Sequence, residues 1–104
     1  MAQDSREAAR AAGLRFTNLD RPGISREPLQ DGWRYRDQDG KLLRDKAQIA
    51  RANSLVLPPA WTDVWINPDA RGHIQATGRD ARGRKQYRYH EQWRATWDEA
   101  KFAR

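Results

Sequence analysis

The stretch DVWINPDARGHIQATGRDARGRKQYRY, residues 63–89, contains three extended runs separated by turns that are rich in glycine, aspartate and arginine. Residues 63–67 and 73–77 alternate apolar and polar side chains on either side of a Pro-Asp-Ala-Arg-Gly turn. This pattern predicts a β-hairpin. A flexible basic loop, residues 78–83, leads into a further extended run at residues 85–89. The stretch therefore predicts three antiparallel strands.

The alternation also assigns the two faces of the first hairpin. Val64 and Ile66 share one face, and Ile74 and Ala76 occupy the matching face of the partner strand, which predicts the core side. The opposite face carries the remaining side chains of the two runs: Trp65, Asn67, Gln75 and Thr77.

Working outward, two further runs alternate in the same way. Residues 13–18 (GLRFTN) and residues 33–36 (WRYR) predict two more strands. The sequence Asp37-Gln-Asp-Gly40 predicts a turn that closes a hairpin onto residues 41–43. With the three strands of residues 63–89, this makes a sheet of about five strands.

Helical patterns occur at both ends and in the middle of the chain. Residues 5–12 are strong helix formers that end at Gly13, and Asp45 is a suitable N-cap for a helix over residues 46–54. Residues 91–103 predict a C-terminal helix with Trp93 and Trp97 on one face. We predict an α+β fold, with a small antiparallel sheet and one or two packed helices.

Composition excludes several classes of protein. A chain of 104 residues that is 38% hydrophobic and 33% charged is expected to form one domain with a thin core built around its aromatic residues. There is no cysteine and no apolar run of the length of a membrane span. We expect no metal, no cofactor and no membrane contact, and a cytoplasmic monomer.

The tryptophans and histidines are expected to have structural roles. The five tryptophans are expected to pack in the core or on the sheet, with Trp65 as the best candidate for an exception because it shares a face with Gln75. His73 and His90 are expected to be polar surface or turn residues, because neither has the spacing of a metal ligand.

Charge is concentrated in one part of the chain. The net charge is +6, and residues 70–90 contain six cations against the single acid Asp80, so this stretch holds +5 of it. The concentration indicates a surface that binds a polyanion. The block GHIQATGRDARGRKQYRYH, residues 72–90, places arginines beside planar hydrogen-bonding side chains, as duplex recognition requires.

This block resembles the N-terminal domain of the small type IB DNA topoisomerases of bacteria and poxviruses. The preceding LPPAWTDVWI, the following DEAKFAR and the opening GLRFTNLDRPGISR fit the same family, so the resemblance extends over residues 13–104. It implies that residues 13–104 form the DNA-binding N-terminal domain. Residues 1–12 would be an N-terminal extension that is either helical or disordered.

The resemblance also implies a function. Type IB enzymes relax supercoils through a 3′-phosphotyrosyl intermediate without metal or nucleotide, and their catalytic residues lie in a covalently linked C-terminal domain that this chain lacks. No catalytic residue is therefore expected here, and the chain alone should not cleave DNA. The N-terminal domain closes over the duplex as a clamp. By position, Gln86, Tyr87 and Tyr89 carry over as contacts in the major groove near the cleavage site, and Arg84 and Lys85 as backbone contacts.

Several alternatives stay open at this stage. Arg79 and Arg82 are either phosphate contacts or solvated loop charges, and Tyr87 and Tyr89 could instead be core residues. In a regular strand Gln86 faces away from both tyrosines, unless a bulge near Arg84 and Lys85 brings the three together. The chain could also be a stand-alone RNA-binding module or a protein-interaction domain that uses a tryptophan-rich sheet.

Overall fold

The computed structural model describes residues 2–95, with side chains described from residue 6 onward. Seven regular elements follow one another along the chain: α1 (Ala2–Ala11), β1 (Ser25–Leu29), β2 (Gly32–Arg36), α2 (Lys46–Ser54), β3 (Thr62–Ile66), β4 (Ile74–Arg79) and β5 (Lys85–Tyr89). A third helical segment, α3, occupies residues 91–95. The predicted α+β class is confirmed. The rest of the predicted C-terminal helix, including Trp97, lies outside the described residues.

The strands form two antiparallel sheets, one with the order β1-β2 and one with the order β3-β4-β5. They are joined by an antiparallel bridge between Ile24 and Ile66, whose backbone groups exchange two hydrogen bonds of 2.8 Å. Both isoleucines are almost fully buried. The bridge therefore connects the small sheet to the large one at the centre of the core.

Strand β1 was not predicted from the sequence. Its sequence, SREPL, has neither alternation nor β-branched residues, and it contains a proline. It pairs with β2 because Gln30 and Asp31 make a two-residue turn before Gly32, whose φ of 134° favours glycine. Glu27 on β1 forms ion pairs with Arg34 and Arg36 on β2.

Two predicted strands are wrong. Residues 13–18 form a single parallel bridge between Arg15 and Gly72, because Leu14 joins a side cluster and Thr17 is held by side-chain hydrogen bonds instead of a ladder. The turn predicted at residues 37–40 is present, but residues 41–43, predicted as the return strand, make only one bridge, Leu42 to Arg36. The chain then leaves the sheet toward α2.

Helix α2 begins as predicted. The Asp45 carboxylate accepts hydrogen bonds from the backbone N–H groups of Ala47 and Gln48, which satisfies two donors of the first turn. The helix packs over the face of the sheet that carries Ile66 and Ala76, which confirms the predicted face for these two residues. The prediction is wrong for Ile74 and Gln75, because the register shifts between Ile74 and Ala76: Ile74 is not part of this core, and Gln75 Oε1 accepts from Arg51 of α2. The members of this core are Ile24, Tyr35, Ala52, Leu57, Ile66 and Ala76, with Trp33, Leu43, Ile49, Leu55, Trp61 and Val64 packed around them.

A second, smaller cluster joins Ala9 of α1, Leu14 and Trp93. Trp93 is therefore a core residue, as predicted, and Trp33 and Trp61 pack against the main core. Trp65 is half-buried, and its indole Nε1–H donates to the carbonyl of Arg21 at 2.9 Å. Within residues 2–95, no helix has the length and apolar character needed to cross a membrane.

Strand β4 is buried on both faces. Polar residues occupy its second face and the turn before it, and they hydrogen-bond to each other and to residues 13–18. Asn67 Nδ2 donates to the carbonyl of Ile74 at 3.0 Å and to Thr17 Oγ1 at 3.2 Å. A Cβ on Gly72 would lie 2.1 Å from Asn67 Nδ2, so only glycine fits at this point.

His73 contradicts its prediction as a surface or turn residue, because only 4% of it is exposed. Its Nδ1 accepts a hydrogen bond of 3.0 Å from the backbone N–H of Thr17, and its ring lies 4.9 Å from the rings of both Phe16 and Trp93. Burial lowers the pKa of His73, because the charged imidazolium would lose its hydration. The neutral ring accepts the Thr17 hydrogen bond, and protonation of Nδ1 would break it.

The buried histidine predicts a pH-dependent stability. Since the folded pKa of His73 lies below its unfolded value of about 6.5, the unfolded chain binds more protons, and stability falls as the pH drops below that value. The slope is at most about 1.4 kcal/mol per pH unit for one proton. Urea unfolding between pH 5 and 7 measures it.

His73→Asn, which keeps an acceptor for Thr17, should flatten this dependence. The matched control is His90→Asn, since the pKa of His90 is also lowered by burial but that ring is less buried. We expect the larger loss of slope for His73→Asn. An unchanged slope in that variant would contradict the assignment.

Candidate nucleic-acid interface

Strand β5 is the edge of the larger sheet and carries most of the predicted site. It pairs with β4 from Arg79 opposite Lys85 to Ile74 opposite Tyr89, and among the described residues no strand pairs with its other edge. Its backbone therefore has one free edge. An exposed edge with large side chains on both faces is a suitable surface for a macromolecular ligand.

One face of β5 presents a row of a cation and two aromatic rings. Lys85, Tyr87 and Tyr89 are all exposed, at 42% for Tyr87 and 38% for Tyr89, so the alternative that the tyrosines are core residues is wrong. The two tyrosine rings are nearly parallel, with centroids 6.3 Å apart, and Lys85 Nζ lies 5.9 Å from the Tyr87 centroid. The rings present an apolar surface and two hydroxyl groups to solvent.

The row continues into the second core cluster. Tyr89 stacks on Trp93 with centroids 6.4 Å apart, and Trp93 meets His73 edge to face. His73 stacks on Phe16, and the guanidinium of Arg6 lies 4.4 Å from the Phe16 centroid. Tyr89 therefore rests on the buried ring of Trp93, and Tyr87 stacks on Tyr89. This support limits the rotamers that they can adopt.

The opposite face of β5 carries Gln86 and Arg88. Gln86 pairs with Gly78, and Arg88 pairs with Ala76, which belongs to the core face under α2. The bulge near Arg84 and Lys85 that would place Gln86 beside the tyrosines is absent, because the register is regular there. The irregularity lies in β4, between Ile74 and Ala76. Gln86 and the two tyrosines thus flank the edge from opposite sides.

Asp80 organises the loop that precedes β5. Its Oδ1 accepts hydrogen bonds of 2.9 Å from the backbone N–H groups of Arg82 and Arg84, and its Oδ2 accepts from Arg84 Nε at 2.9 Å and from Gln86 Nε2 at 3.0 Å. The pKa of Asp80 is lowered, first by the backbone hydrogen bond from Arg84 and then by the side-chain donors. One carboxylate therefore contacts three of the predicted site residues, two of them through their side chains.

The remaining cations of the loop stay exposed. Arg79 Nη1 donates to the Gly83 carbonyl at 3.0 Å, and its Nε lies 4.0 Å from the Asp63 carboxylate. Gly83 has a φ of 77°, which fits the tight turn of this loop. Arg82 is exposed as well. The seven predicted residues thus form two groups: Arg79, Arg82, Arg84 and Gln86 around the loop, and Lys85, Tyr87 and Tyr89 in the row.

Two residues that shape this surface were not predicted from the sequence. Asp80 is the single acid of a basic stretch, and its position four residues before Arg84 is a signal for local pairing. Trp93 was predicted as a core residue, without its contact to Tyr89. Within residues 2–95 there is no group of three His, Asp or Glu side chains that could hold a metal ion.

Comparisons with known proteins agree on one family. Residues 32–80 match the family described as bacterial DNA topoisomerase IB, N-terminal domain. The chain is also 46% identical over 69 residues to the DNA topoisomerase 1B of Acanthamoeba polyphaga mimivirus. These aligned residues cover 66% of this chain and 20% of the viral protein. The chain thus spans about a fifth of the length of this relative. Strand β5 lies just after the residues that match the family.

The role of Asp80 can be tested by Asp80→Ala. Loss of the carboxylate removes four hydrogen bonds, so the amides of Arg82 and Arg84 should exchange with solvent at least tenfold faster. A tenfold change corresponds to a loss of about 1.4 kcal/mol in the free energy of opening the loop. Amide hydrogen exchange followed by NMR measures this change. Asp20→Ala, at another exposed turn, is the control and should leave both rates unchanged. Unchanged exchange in Asp80→Ala would contradict the role of the carboxylate.

Proposed function

The chain carries the N-terminal domain of the bacterial DNA topoisomerase IB family in residues 32–80, and from this premise we propose that it binds duplex DNA along the free edge of β5. The observation that carries the proposal is the exposed row of Lys85, Tyr87 and Tyr89 beside a loop of exposed arginines. In the longer protein, this domain would act as the clamp that holds the duplex near the cleavage site.

The placement of Gln86 favours an edge-on approach. A duplex that lay flat on one face of the sheet could reach the two tyrosines or Gln86, but not both. The major groove is about 12 Å wide and admits a β-ribbon, so the edge of a hairpin can enter it. In that orientation the side chains on both faces of β5 meet opposite walls of the groove.

Each side chain of the edge has a role that its chemistry allows. The amide of Gln86 can donate and accept at an adenine edge, and a tyrosine ring can pack on a thymine methyl while its hydroxyl bonds to a base or phosphate. Arg79, Arg82, Arg84 and Lys85 are proposed to contact the phosphates. Because Gln86 is bound to Asp80 in the free protein, DNA binding would exchange that hydrogen bond for one to a base.

The activity of the longer protein is proposed on the same basis. Relaxation of supercoiled DNA through a 3′-phosphotyrosyl intermediate would require a covalently linked catalytic domain. The N-terminal domain would position the duplex and would not cleave it alone. A DNA target would place the protein with the bacterial nucleoid in the cytoplasm.

The alternative of a protein-interaction domain would be favoured by a patch in which Trp65 and Trp93 are both exposed. Trp93 is only 6% exposed, so these two tryptophans do not form such a patch. The alternative of a single-strand binder is supported by the two exposed rings, because unpaired bases stack on such rings. Competition between a duplex and its separated strands distinguishes this alternative from the proposal.

The salt dependence of binding tests the cationic contacts. If Lys85 neutralises one phosphate, Lys85→Ala should reduce the slope of log K against log salt by about 0.9, and it should weaken binding to all sequences alike. Fluorescence anisotropy with a labelled duplex measures the slope. Lys41→Ala, in the turn before α2, is the matched control with the same loss of charge. A preference for single strands, or an affinity that salt does not change, would contradict the proposal.

Gln86→Ala should affect sequence preference more than overall affinity. Loss of one bidentate base contact costs about 1–3 kcal/mol on the preferred sequence and little on others. Binding to a set of duplexes that differ at one base pair measures the difference, with Gln30→Ala as the control at an exposed turn. An equal loss on every duplex would remove the base-reading role of Gln86.

A further inference from the structure

A second basic surface lies on the α2 side of β5 and reaches the tyrosine row at Tyr89. It is a pocket of about 330 Å³ between α2, the end of β5 and α3. Its charged and titratable lining residues are Arg51, Arg88, His90, Glu91 and Arg94. Three arginines against one glutamate give it a charge of +2 with His90 neutral. None of these three arginines was predicted from the sequence as a binding residue.

The positive charge of the pocket is not compensated by ion pairs within the described residues. Arg51 donates to Gln75 Oε1 at 2.7 Å, to Gln48 Oε1 at 2.7 and 3.0 Å, and to the Asn67 carbonyl at 2.5 Å, which are all neutral acceptors. Arg88 donates to the Leu55 carbonyl. No ion pair within residues 2–95 links either guanidinium to a carboxylate.

These hydrogen bonds also fix the positions of the two guanidinium groups. Arg51 is half-buried, and loss of hydration lowers its pKa. The Asp69 carboxylate opposes part of this pKa shift from a distance, but its ion pair is with Arg15. A half-buried cation whose own hydrogen bonds go to neutral carbonyls and amides gains from an external anion that contacts it directly. The guanidinium groups of Arg51 and Arg88 are therefore held in position before any ligand binds.

The other wall is polar and accessible. Arg94 is exposed on α3, and no described residue forms a side-chain hydrogen bond or ion pair with it. His90 begins α3, with its Nδ1 accepting from the Gln92 N–H at 3.0 Å. Burial and then the nearby charge of Arg71 lower the pKa of His90, which favours the neutral ring, so the positive charge of the pocket comes from its arginines.

We propose that this pocket binds one phosphate group, held between Arg51, Arg88 and Arg94. Guanidinium groups match the geometry of phosphate oxygens, and a pocket of this size accepts a single phosphate with its hydration. The group could come from the backbone of the DNA that contacts the β5 edge, or from a free phosphate. Only the first source rests on the proposed function.

The backbone source follows from the position of the pocket. Tyr89, the last residue of the aromatic row, also lines the pocket, and Arg88 lies beside it on the opposite face of β5. A duplex that enters edge-on would bring a phosphate to the α2 side of the strand. The pocket would then extend the footprint of the DNA beyond the tyrosine row.

The first arm of the test uses inorganic phosphate, with the ionic strength held constant by chloride. The amide signals of Arg88, His90 and Glu91 should shift and saturate in NMR spectra of the labelled chain. Arg94→Ala should abolish the saturation, because it removes a donor without disturbing the hydrogen bonds of Arg51 and Arg88. Arg44→Ala, an exposed arginine just before the Asp45 cap, is the matched control and should retain it.

The second arm uses a short duplex. If a backbone phosphate fills the pocket, Arg94→Ala should lower the salt slope by about 0.9 and the affinity by about eightfold at 0.1 M salt, whereas Arg44→Ala should change neither. If the phosphate arm is positive and the duplex signals stay confined to residues 79–89, the site takes a free phosphate instead of the DNA backbone.

The two proposals fail in different ways. Absence of duplex binding, with saturable phosphate shifts in the pocket, would overturn the proposed function and leave the pocket as a phosphate site. Duplex binding in which Arg94→Ala matches the wild-type salt slope, together with no saturable shift in phosphate, would overturn the pocket.

Discussion

The burial of β4 on both faces is the constraint on which the rest of this small domain depends. One face packs under α2 with Ala76, and the other is covered by polar contacts from residues 13–18. Because buried polar groups must be hydrogen-bonded, Thr17, Asn67 and His73 have to occupy one mutual arrangement. A network of buried hydrogen bonds, which require defined directions, thereby supplements the thin apolar core. The position of β4, and with it the edge strand β5, follows from this arrangement.

Buried groups behind the edge strand β5 hold its exposed side chains in position. The rings of Tyr87 and Tyr89 are exposed, yet Tyr89 rests on Trp93, and Trp93 rests on His73. An exposed ring that is backed by buried rings loses less rotamer freedom on binding than one that moves freely in solvent. On the α2 side, hydrogen bonds to backbone and amide oxygens hold Arg51 and Arg88 in the same manner. Both faces of β5 thus present groups that are positioned before any ligand binds.

The acids of this region serve to organise its cations. Asp80 joins the loop to Arg84 and Gln86, and Asp69 forms a two-point pair with Arg15, with N···O distances of 2.6 and 2.8 Å. Each carboxylate accepts several donors, and its pKa is lowered accordingly. Local pairing consumes part of the positive charge that the composition indicates. The cations left without carboxylate partners within residues 2–95, among them Lys85 and Arg82 along the edge, are those that can serve an external polyanion.

The sequence by itself determined the α+β class, the hairpin of β3 and β4, the Asp45 cap of α2, strand β5 and the concentration of charge around it, because these features depend on local periodicity and on turn and capping residues. The tertiary structure alone decided the pairing of β1 with β2, the burial of His73, the regular register that keeps Gln86 opposite the tyrosines and the pocket of arginines. Local patterns specify which residues alternate, but not what covers each face of a strand. For β4 the covering group is Thr17, which is separated from His73 by 56 positions along the chain, and a contact at that distance leaves no local periodicity from which it could be predicted.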